Sequence, residues 1–422
     1  MKTFKINYFY FPFLFSFFLP LFIKLSNLFI ILFIVFSAYH FLFSKEKIKR
    51  NNIVFIYSTV PLFLIFIFGL LITNEPSEGI KGLERIITFI LCPLSLFFLK
   101  DDDLILIKKQ LFNGLVIGST ISILILLVNN FNNYFSNRAL LDIDIDIFNY
   151  YYTYYNFTDL LNLHPTYLGF YIVFSIFILI NKMFIKTNGK FFIFILLMIL
   201  SFGILFINSR IILLAYVLIL VSTLIRVFYV LYKRKYYILV ISLFILSSIS
   251  PFFIYKGFSQ TFIFYRFTHE LAWETSEQIN TMYNSKNSGD SRIARWNSAL
   301  KVIKRKPFIG YGTNTEKDVL ANQYKMDGLE KSHTFRYDAH NLYLSYTIEY
   351  GIIGLLVLLF YLFSNIFLAI KSRNLEYFVF FSVIGVICVF ESYLKNNAGI
   401  TFVAFFSAIL YFTKDDNQIS EQ

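Results

Sequence analysis

Among the 422 residues, a few histidines and arginines have the chemistry to move a proton or hold an anion. His340 stands in Asp338-Ala339-His340-Asn341, at the head of a long apolar run. Histidine is the side chain whose ordinary pKa lies nearest neutral pH, so at such a position it can act as a general base. Taken alone, an interfacial histidine bonded to backbone is the plainer explanation. Arg210 closes Asn208-Ser209-Arg210 between two apolar runs, where a guanidinium either snorkels to headgroups or holds an anionic group. Arg292 and Arg295 lie together in the basic stretch Ser291–Lys306 (SRIARWNSALKVIKRK). His164, in His164-Pro165-Thr166-Tyr167, either faces an acceptor or simply begins a helix, because Pro165 suits a first turn. Cys92 and Cys388 both fall inside apolar runs and suggest neither a disulfide nor a metal site.

The elements that must position these residues belong to a membrane protein. Apolar residues make up 57% of the chain, aromatic residues 21% and charged residues only 15%, with a mean hydropathy of +0.63. A soluble domain carries about 25% charged residues. Runs such as Leu111–Val128 and Phe191–Ile207 approach the roughly 20 residues needed to span a bilayer. The pattern predicts an all-α integral membrane protein, a single polytopic domain over 1–422. Its spans fall near 7–23, 26–44, 53–73, 83–99, 106–128, 166–181, 191–208, 211–229, 236–255, 341–370, 375–393 and 398–413. The first reads as a retained helix and not as a signal peptide, since no small-residue cleavage site follows.

With the N-terminus inside, cytoplasmic segments hold 19 of the 38 basic residues, one long outer loop (256–340) holds 13, and other outer segments hold 6. Long loops translocate largely regardless of charge, so the short segments decide and both termini are expected in the cytoplasm. Orientation does not explain the basic cluster in the outer loop. That cluster, within a net charge of +12, points to an anionic partner such as a phosphate or lipid headgroup, or to a solvated surface, and not to nucleic acid.

Two outer loops are long. In 129–165, the alternation from Leu141 to Ile147 fits a strand or an interfacial segment. In 256–340, Ser291–Lys306 reads as an amphipathic helix capped by Asp290 or Ser291, with Ile293, Trp296, Leu300 and Ile303 as its apolar stripe toward lipid or the helical bundle. Pro307-Phe308-Ile309-Gly310-Tyr311-Gly312 follows as a tight turn.

The stretch from Asp290 to Leu355 resembles the shared core of the O-antigen ligase and polymerase superfamily. The Arg292/Trp296 helix ahead of Pro307-x-x-Gly310-x-Gly312, the Ala339-His340-Asn341-x-Tyr343-Leu344 signature, and Gly351-x-x-Gly354 carry the resemblance, with Ser209-Arg210 upstream. The motifs occupy about 205–355, and the predicted topology extends the match along the chain. The resemblance implies a membrane-embedded glycosyltransferase of the C type, in the bacterial inner membrane, with its active site partly on the periplasmic loop 256–340. It implies an undecaprenyl-diphosphate-linked glycan as donor and no metal or other cofactor. His340 would be the catalytic base of an inverting displacement, and Arg210 and Arg292 would hold the diphosphate, with Arg295 an alternative match for the second arginine. Lys81 and Arg85, in Gly79-Ile80-Lys81-Gly82-Leu83-Glu84-Arg85, resemble residues that hold the carrier phosphates, although Glu84 can equally pair with Lys81. Asn341 would join the substrate site, with His164 as a further acceptor-side candidate.

The Ala-His-Asn signature favours a ligase acting on lipid A–core. A polymerase extending carrier-linked repeats, and a transferase acting on protein, would use the same chemistry. A lipid-linked oligosaccharide flippase fits less well, because the ionisable candidates gather toward one face and mid-span positions are almost free of charge. A membrane scaffold would not require this order of motifs.

Overall fold

The computed structural model describes residues 9–43, 54–73, 76–141, 147–185, 189–239, 241–242, 255–257, 259–282 and 288–413. The principal helices are α1 (Tyr10–Phe18), α2 (Ile23–Phe43), α3 (Val54–Ile72), α4 (Pro76–Ile86), α5 (Thr88–Phe97), α6 (Asp101–Leu141) and α7 (Pro165–Ile185). They continue as α8 (Lys190–Ile207), α9 (Arg210–Lys233), α10 (Arg292–Arg305), α11 (Glu316–Met326), α12 (Leu342–Lys371), α13 (Leu375–Phe390) and α14 (Asn397–Phe412). Among the described residues the one sheet is a two-residue antiparallel pair, Thr281–Met282 with Ser288–Gly289.

The described residues are almost entirely helical, as in an all-α multi-pass membrane protein, but their helices do not supply twelve full crossings. Seven are long and apolar enough to span: α2, α3, α6, α7, α8, α9 and α12, with α13 and α14 apolar but shorter. The predicted first span shrinks to α1, which stops at Phe18 ahead of Pro20, a residue with no N–H to continue the ladder. The predicted fourth span divides into α4 and α5 on either side of Ile87. Most of the predicted ninth span, 236–255, lies outside the described residues, as do residues 142–146 of the Leu141–Ile147 alternation. α6 is longer than expected and carries helix into the start of the 129–165 loop. Phe131 and Tyr134 anchor this extension by ring contacts to Phe206 and Tyr152.

The chain forms two compact units, Met1–Gly118 with Trp273–Gln422, and Ser119–Ala272. In the first, α12 packs on α3 and α13, and α14 packs on α5. The early part of α6 lies close against α1: a Cβ on Gly114 or Gly118 would come within 2.3 or 2.2 Å of the Phe13 or Phe17 carbonyl oxygen. Small residues four apart permit such backbone approach between membrane helices. In the second unit, α7 is buried from Pro165 through Asn181 and packs on α8 and α9. α9 turns Leu214, Val217, Leu218 and Val221 outward, as a lipid-facing surface would.

The polar segment ahead of α12 builds a small core of its own. Ala294, Ala299 and Val302 of α10 meet Leu320 and Tyr324 of α11, with Ala339 buried among them. Of the two cap candidates it is Ser291 that caps α10, its hydroxyl accepting from the Ala294 N–H at 3.3 Å. The buried face differs from the predicted stripe: Ala294, Arg295, Ser298, Ala299 and Val302 are buried, while Leu300 is 46% exposed. Small side chains let α10 approach α11 and α12 closely, and that packing outweighs burying the larger apolar residues.

The Pro307–Gly312 turn fits into a break in α12. Gly351 has φ 65° and ψ −161°, a conformation essentially reserved for glycine. The groups freed by the break bond to the turn: the Ile352 N–H donates to the Pro307 carbonyl at 2.8 Å. In return, the Tyr311 and Gly312 N–H groups donate to the Ile348 and Glu349 carbonyls at 3.0 and 2.8 Å. These bonds satisfy backbone groups that the break would otherwise deprive of helical partners.

Candidate functional site

His340 sits in a turn whose preceding residue, Ala339, is held through both of its backbone polar groups. The Ala339 N–H donates to Glu316 Oε1 at 3.0 Å, and the Ala339 carbonyl accepts from Trp296 Nε1 at 2.9 Å. The next residue, His340, adopts φ 45°, the left-handed region that non-glycine residues seldom visit. Its N–H donates to Asp338 Oδ1 at 3.1 Å, and Asn341 then caps α12 by accepting from the Leu344 N–H at 3.1 Å. Asn341 therefore has a defined structural task at the start of α12. The His340 ring places Nδ1 3.5 Å from both Asp338 Oδ1 and Glu391 Oε2, and its side chain remains 28% exposed. Burial works to raise the Asp338 carboxyl, but the charges of His340 and Lys395, with the His340 N–H, outweigh it and hold the group below the ordinary carboxylate range.

Arg292 and Arg295 converge on the same neighbourhood. The Arg292 guanidinium donates through Nη1 to the Phe390 carbonyl at 3.1 Å, at the C-terminal end of α13, where a cation is favoured. The adjacent residue is Glu391, so the end of α13 meets both Arg292 and His340. Glu274 Oε2 accepts from the Arg292 N–H at 3.0 Å and lies 3.5 Å from Arg292 Nε and 3.8 Å from Arg295 Nη2. Arg295 is the more buried of the two and lies over the Tyr337 ring, 5.6 Å from its centroid.

A buried charge cluster adjoins this turn. Lys395, in the turn Tyr393–Lys395 between α13 and α14, donates to Glu316 Oε2 at 2.6 Å and to Glu349 Oε1 at 2.7 Å. Burial disfavours the ammonium, but the two carboxylates outweigh it and raise the Lys395 pKa above that of an ordinary lysine. Arg85 donates to the Lys395 carbonyl at 3.3 Å and, with Asn314, Glu349 and Lys395, lines a small cleft open to solvent. Lys81, one turn earlier on α4, is exposed. The structure thus gathers His340, Arg292, Arg295 and Asn341 around one turn in the first unit, and links Arg85 to that turn through Lys395 and Glu316. Among the described residues, no group of three or more His, Cys, Asp or Glu side chains could hold a metal ion.

Arg210 and His164 belong to the second unit. α8 is capped at its C-terminal end by Asn208, with φ 43°, and Arg210 is the first residue of α9. The His164 ring accepts from the Thr166 N–H at 3.2 Å through Nδ1, while Nε2 meets the Tyr155 hydroxyl. Both nitrogens are engaged at the start of α7, as the helix-beginning reading expects. The Thr166 and Ser209 hydroxyls are 3.4 Å apart, so the starts of α7 and α9 adjoin. Arg266 supports this corner: it donates to Glu270 at 2.9 Å and to the Asn208 carbonyl at 2.5 Å, with its guanidinium 4.0 Å from the Tyr154 ring centroid.

The motif residues were legible in one contiguous stretch of sequence. Glu274, Glu316, Glu391 and Lys395 join the site only through the fold. A charged residue between two apolar runs was the available sign for Lys395, whereas Glu316 lies in a polar segment where acids are ordinary.

Comparison with known proteins finds similarity over the same part of the chain. A family described as O-antigen ligase matches residues 193–359, a stretch that contains Arg210, Arg292, Arg295, His340 and the broken helix around Gly351. That stretch of the chain is O-antigen ligase-like, in support of the superfamily read from the motifs. A protein of Haemophilus influenzae described only as uncharacterized is 29% identical over 140 residues, which cover 31% of this chain and 34% of the relative. The match thus spans about a third of the relative's length. With its apolar helices, the chain is a multi-pass bacterial membrane protein that is similar to O-antigen ligases over residues 193–359.

Proposed function

We propose that the protein is a glycosyltransferase that moves a glycan from undecaprenyl diphosphate to a lipid A–core hydroxyl at the periplasmic face of the inner membrane, without a metal ion and with inversion. The observation that carries this reading is the clamped Ala339–His340 turn, with the imidazole beside two carboxylates and Arg292 at the same helix end. Carboxylates 3.5 Å from Nδ1 favour the tautomer with its proton there, which leaves the Nε2 lone pair to accept a proton.

In the proposed step His340 takes the proton of the acceptor hydroxyl as its oxygen attacks the anomeric carbon. The bond from that carbon to the diphosphate oxygen breaks, and the electron pair leaves with the diphosphate. Charge grows on the leaving group, so a fixed guanidinium stabilises the transition state more than the ground state. Arg292 supplies it in this reading, because it is more exposed than Arg295 and retains donors beyond the one given to Phe390. Arg295 holds Tyr337 and Glu274. Arg85 and Lys81 are proposed to contact the carrier phosphates, and Asn341 to shape the substrate site through the start of α12. The resemblance alone adds Arg210 as a further diphosphate contact and His164 as an acceptor-side residue.

The test is a reconstituted transfer reaction with purified protein, undecaprenyl-diphosphate glycan and lipid A–core, run in EDTA beside His340→Ala. General-base catalysis contributes about 10²–10⁴-fold, so the variant is expected to lose at least about 100-fold in rate while wild type is unaffected by EDTA. Elongation of the carrier-linked glycan, with lipid A–core unmodified, would reassign the protein as a polymerase. Wild-type activity in His340→Ala would overturn the mechanism.

A further inference from the structure

Glu316 ties together three segments that are far apart in sequence: the start of α11, the stretch Ala339–Ser345, and the turn carrying Lys395. It is the first residue of α11, where the helix's positive end favours a carboxylate, and its side chain is only 1% exposed. One oxygen accepts from the Ala339 N–H at 3.0 Å and the Ser345 hydroxyl at 2.8 Å on α12. The other accepts from Lys395 at 2.6 Å. Ser345 in turn lies 3.3 Å from Ser392, the neighbour of Glu391. The cluster therefore reaches the His340 turn from two directions, through the peptide before it and through the segment carrying one of its carboxylates.

A buried ion pair is a weak source of net stability, because desolvating two charges offsets much of their attraction. Its effect here is geometric. Lys395 keeps two buried carboxylates, Glu316 and Glu349, from facing each other uncompensated, and so fixes the rotamer in which Glu316 accepts from Ala339. Without the lysine, repulsion drives Glu316 off that N–H. Of the two bonds that fix Ala339, the residue before His340, only the one from Trp296 would then remain.

We propose that Glu316 and Lys395 are positioning residues for His340, setting the orientation of its ring through the Ala339 peptide. Neither touches the reacting atoms, and the inference rests on the reading of His340 as the catalytic base. A displacement of about 1 Å at a reacting group can cost on the order of 100-fold in rate. Lys395→Met is therefore expected to lower kcat about 100-fold and to change KM little. Glu316→Gln is expected to do the same, because an amide oxygen can serve either the Ala339 N–H or Lys395 but not both. Lys395→Arg, which keeps the charge and both partners, is expected to recover most of kcat.

The deciding experiment combines these kinetics with ring NMR signals from [¹³C]histidine-labelled protein in detergent micelles, the His340 signal being the one lost in His340→Ala. Lys395→Met should move the His340 signal and leave those of His40, His164 and His269 in place. A wild-type His340 signal together with wild-type kcat would overturn the proposal. So would a raised KM at unchanged kcat, which would make Lys395 a substrate contact. If Lys395→Met does not yield monodisperse protein, Lys395→Gln is read in the same way. If wild-type protein transfers no glycan to any acceptor, the transfer reading fails separately and the ring signal alone decides whether Lys395 positions His340.

Discussion

His340 depends for its conformation on residues that no local pattern connects to it. A left-handed backbone at a non-glycine residue persists when its surroundings over-determine it, and here the Trp296 and Glu316 bonds to Ala339 do so. Trp296→Phe keeps the ring but leaves the buried Ala339 carbonyl without its donor, at a cost of about 1–3 kcal/mol to the turn. Transfer rate is expected to fall by about 10- to 100-fold, whereas Leu300→Ala, on the exposed face of the same helix, should leave it unchanged. Asp338 adds a pH dependence. Its folded pKa lies below the ordinary 3.8, so its stabilising contribution is complete above that value and disappears as pH falls through the lower folded one. In a Trp273→Phe protein, Trp296 emission reports this turn: it should hold steady from neutral pH to about 4 and shift red below. Asp338→Asn should show part of that shift already at neutral pH. The sequence made His340, Arg292 and Trp296 legible because they fall in one short stretch. Glu316, Glu391 and Lys395 escaped because a tertiary pairing leaves no periodicity in the chain.

The interlock between the Pro307–Gly312 turn and α12 accounts for glycines that the motif spacing could only mark. A Cβ on Gly351 would lie 2.1 Å from the Phe308 carbonyl oxygen, and one on Gly310 would lie 2.5 Å from the Glu349 carbonyl carbon. Both obstacles are backbone and cannot rotate aside. Gly351→Ala therefore combines a steric clash with a disfavoured φ, each worth about 1–3 kcal/mol, and should lower the thermal unfolding temperature of the detergent-purified protein. Gly385→Ala is the control, since the nearest atom to its added Cβ is the Tyr343 hydroxyl at 3.9 Å. A smaller drop for Gly351 than for Gly385 would overturn this account. α10 shows the opposite balance: its limits and its cap followed from Ser291 and Pro307, but its buried face did not. Amphipathic reasoning weights large apolar side chains, whereas close helix contact selects Ala294, Ser298 and Ala299. The extended α6 went unread for a related reason, since an Asn-rich segment looks like a loop until its aromatic rings find partners in the fold.

At the scale of the molecule, hydropathy established the class of protein and charge asymmetry established an expected orientation. Hydropathy counts apolar residues without knowing where a helix breaks, so short or interrupted elements such as α1 and the α4–α5 pair read as full spans. Orientation is open to a direct test because the native thiols are out of the way: Cys92 and Cys388 are both free and buried. A single added cysteine therefore reports its own side of the membrane. Thr334→Cys lies at an exposed position of the 256–340 loop, and Arg234→Cys lies at an exposed position of the segment following α9. With the predicted topology, a charged, membrane-impermeant maleimide added to spheroplasts labels Thr334→Cys at once. It labels Arg234→Cys only after lysis. The electrostatics behind this expectation are specific: 19 basic residues on short cytoplasmic segments oppose 6 outside, once the long loop is set aside. The reverse labelling pattern would put the His340 turn in the cytoplasm, on the side away from a periplasmic lipid A–core acceptor. The basic cluster of 256–340 would then become part of the orienting charge, and the proposed transfer reaction would lose its location.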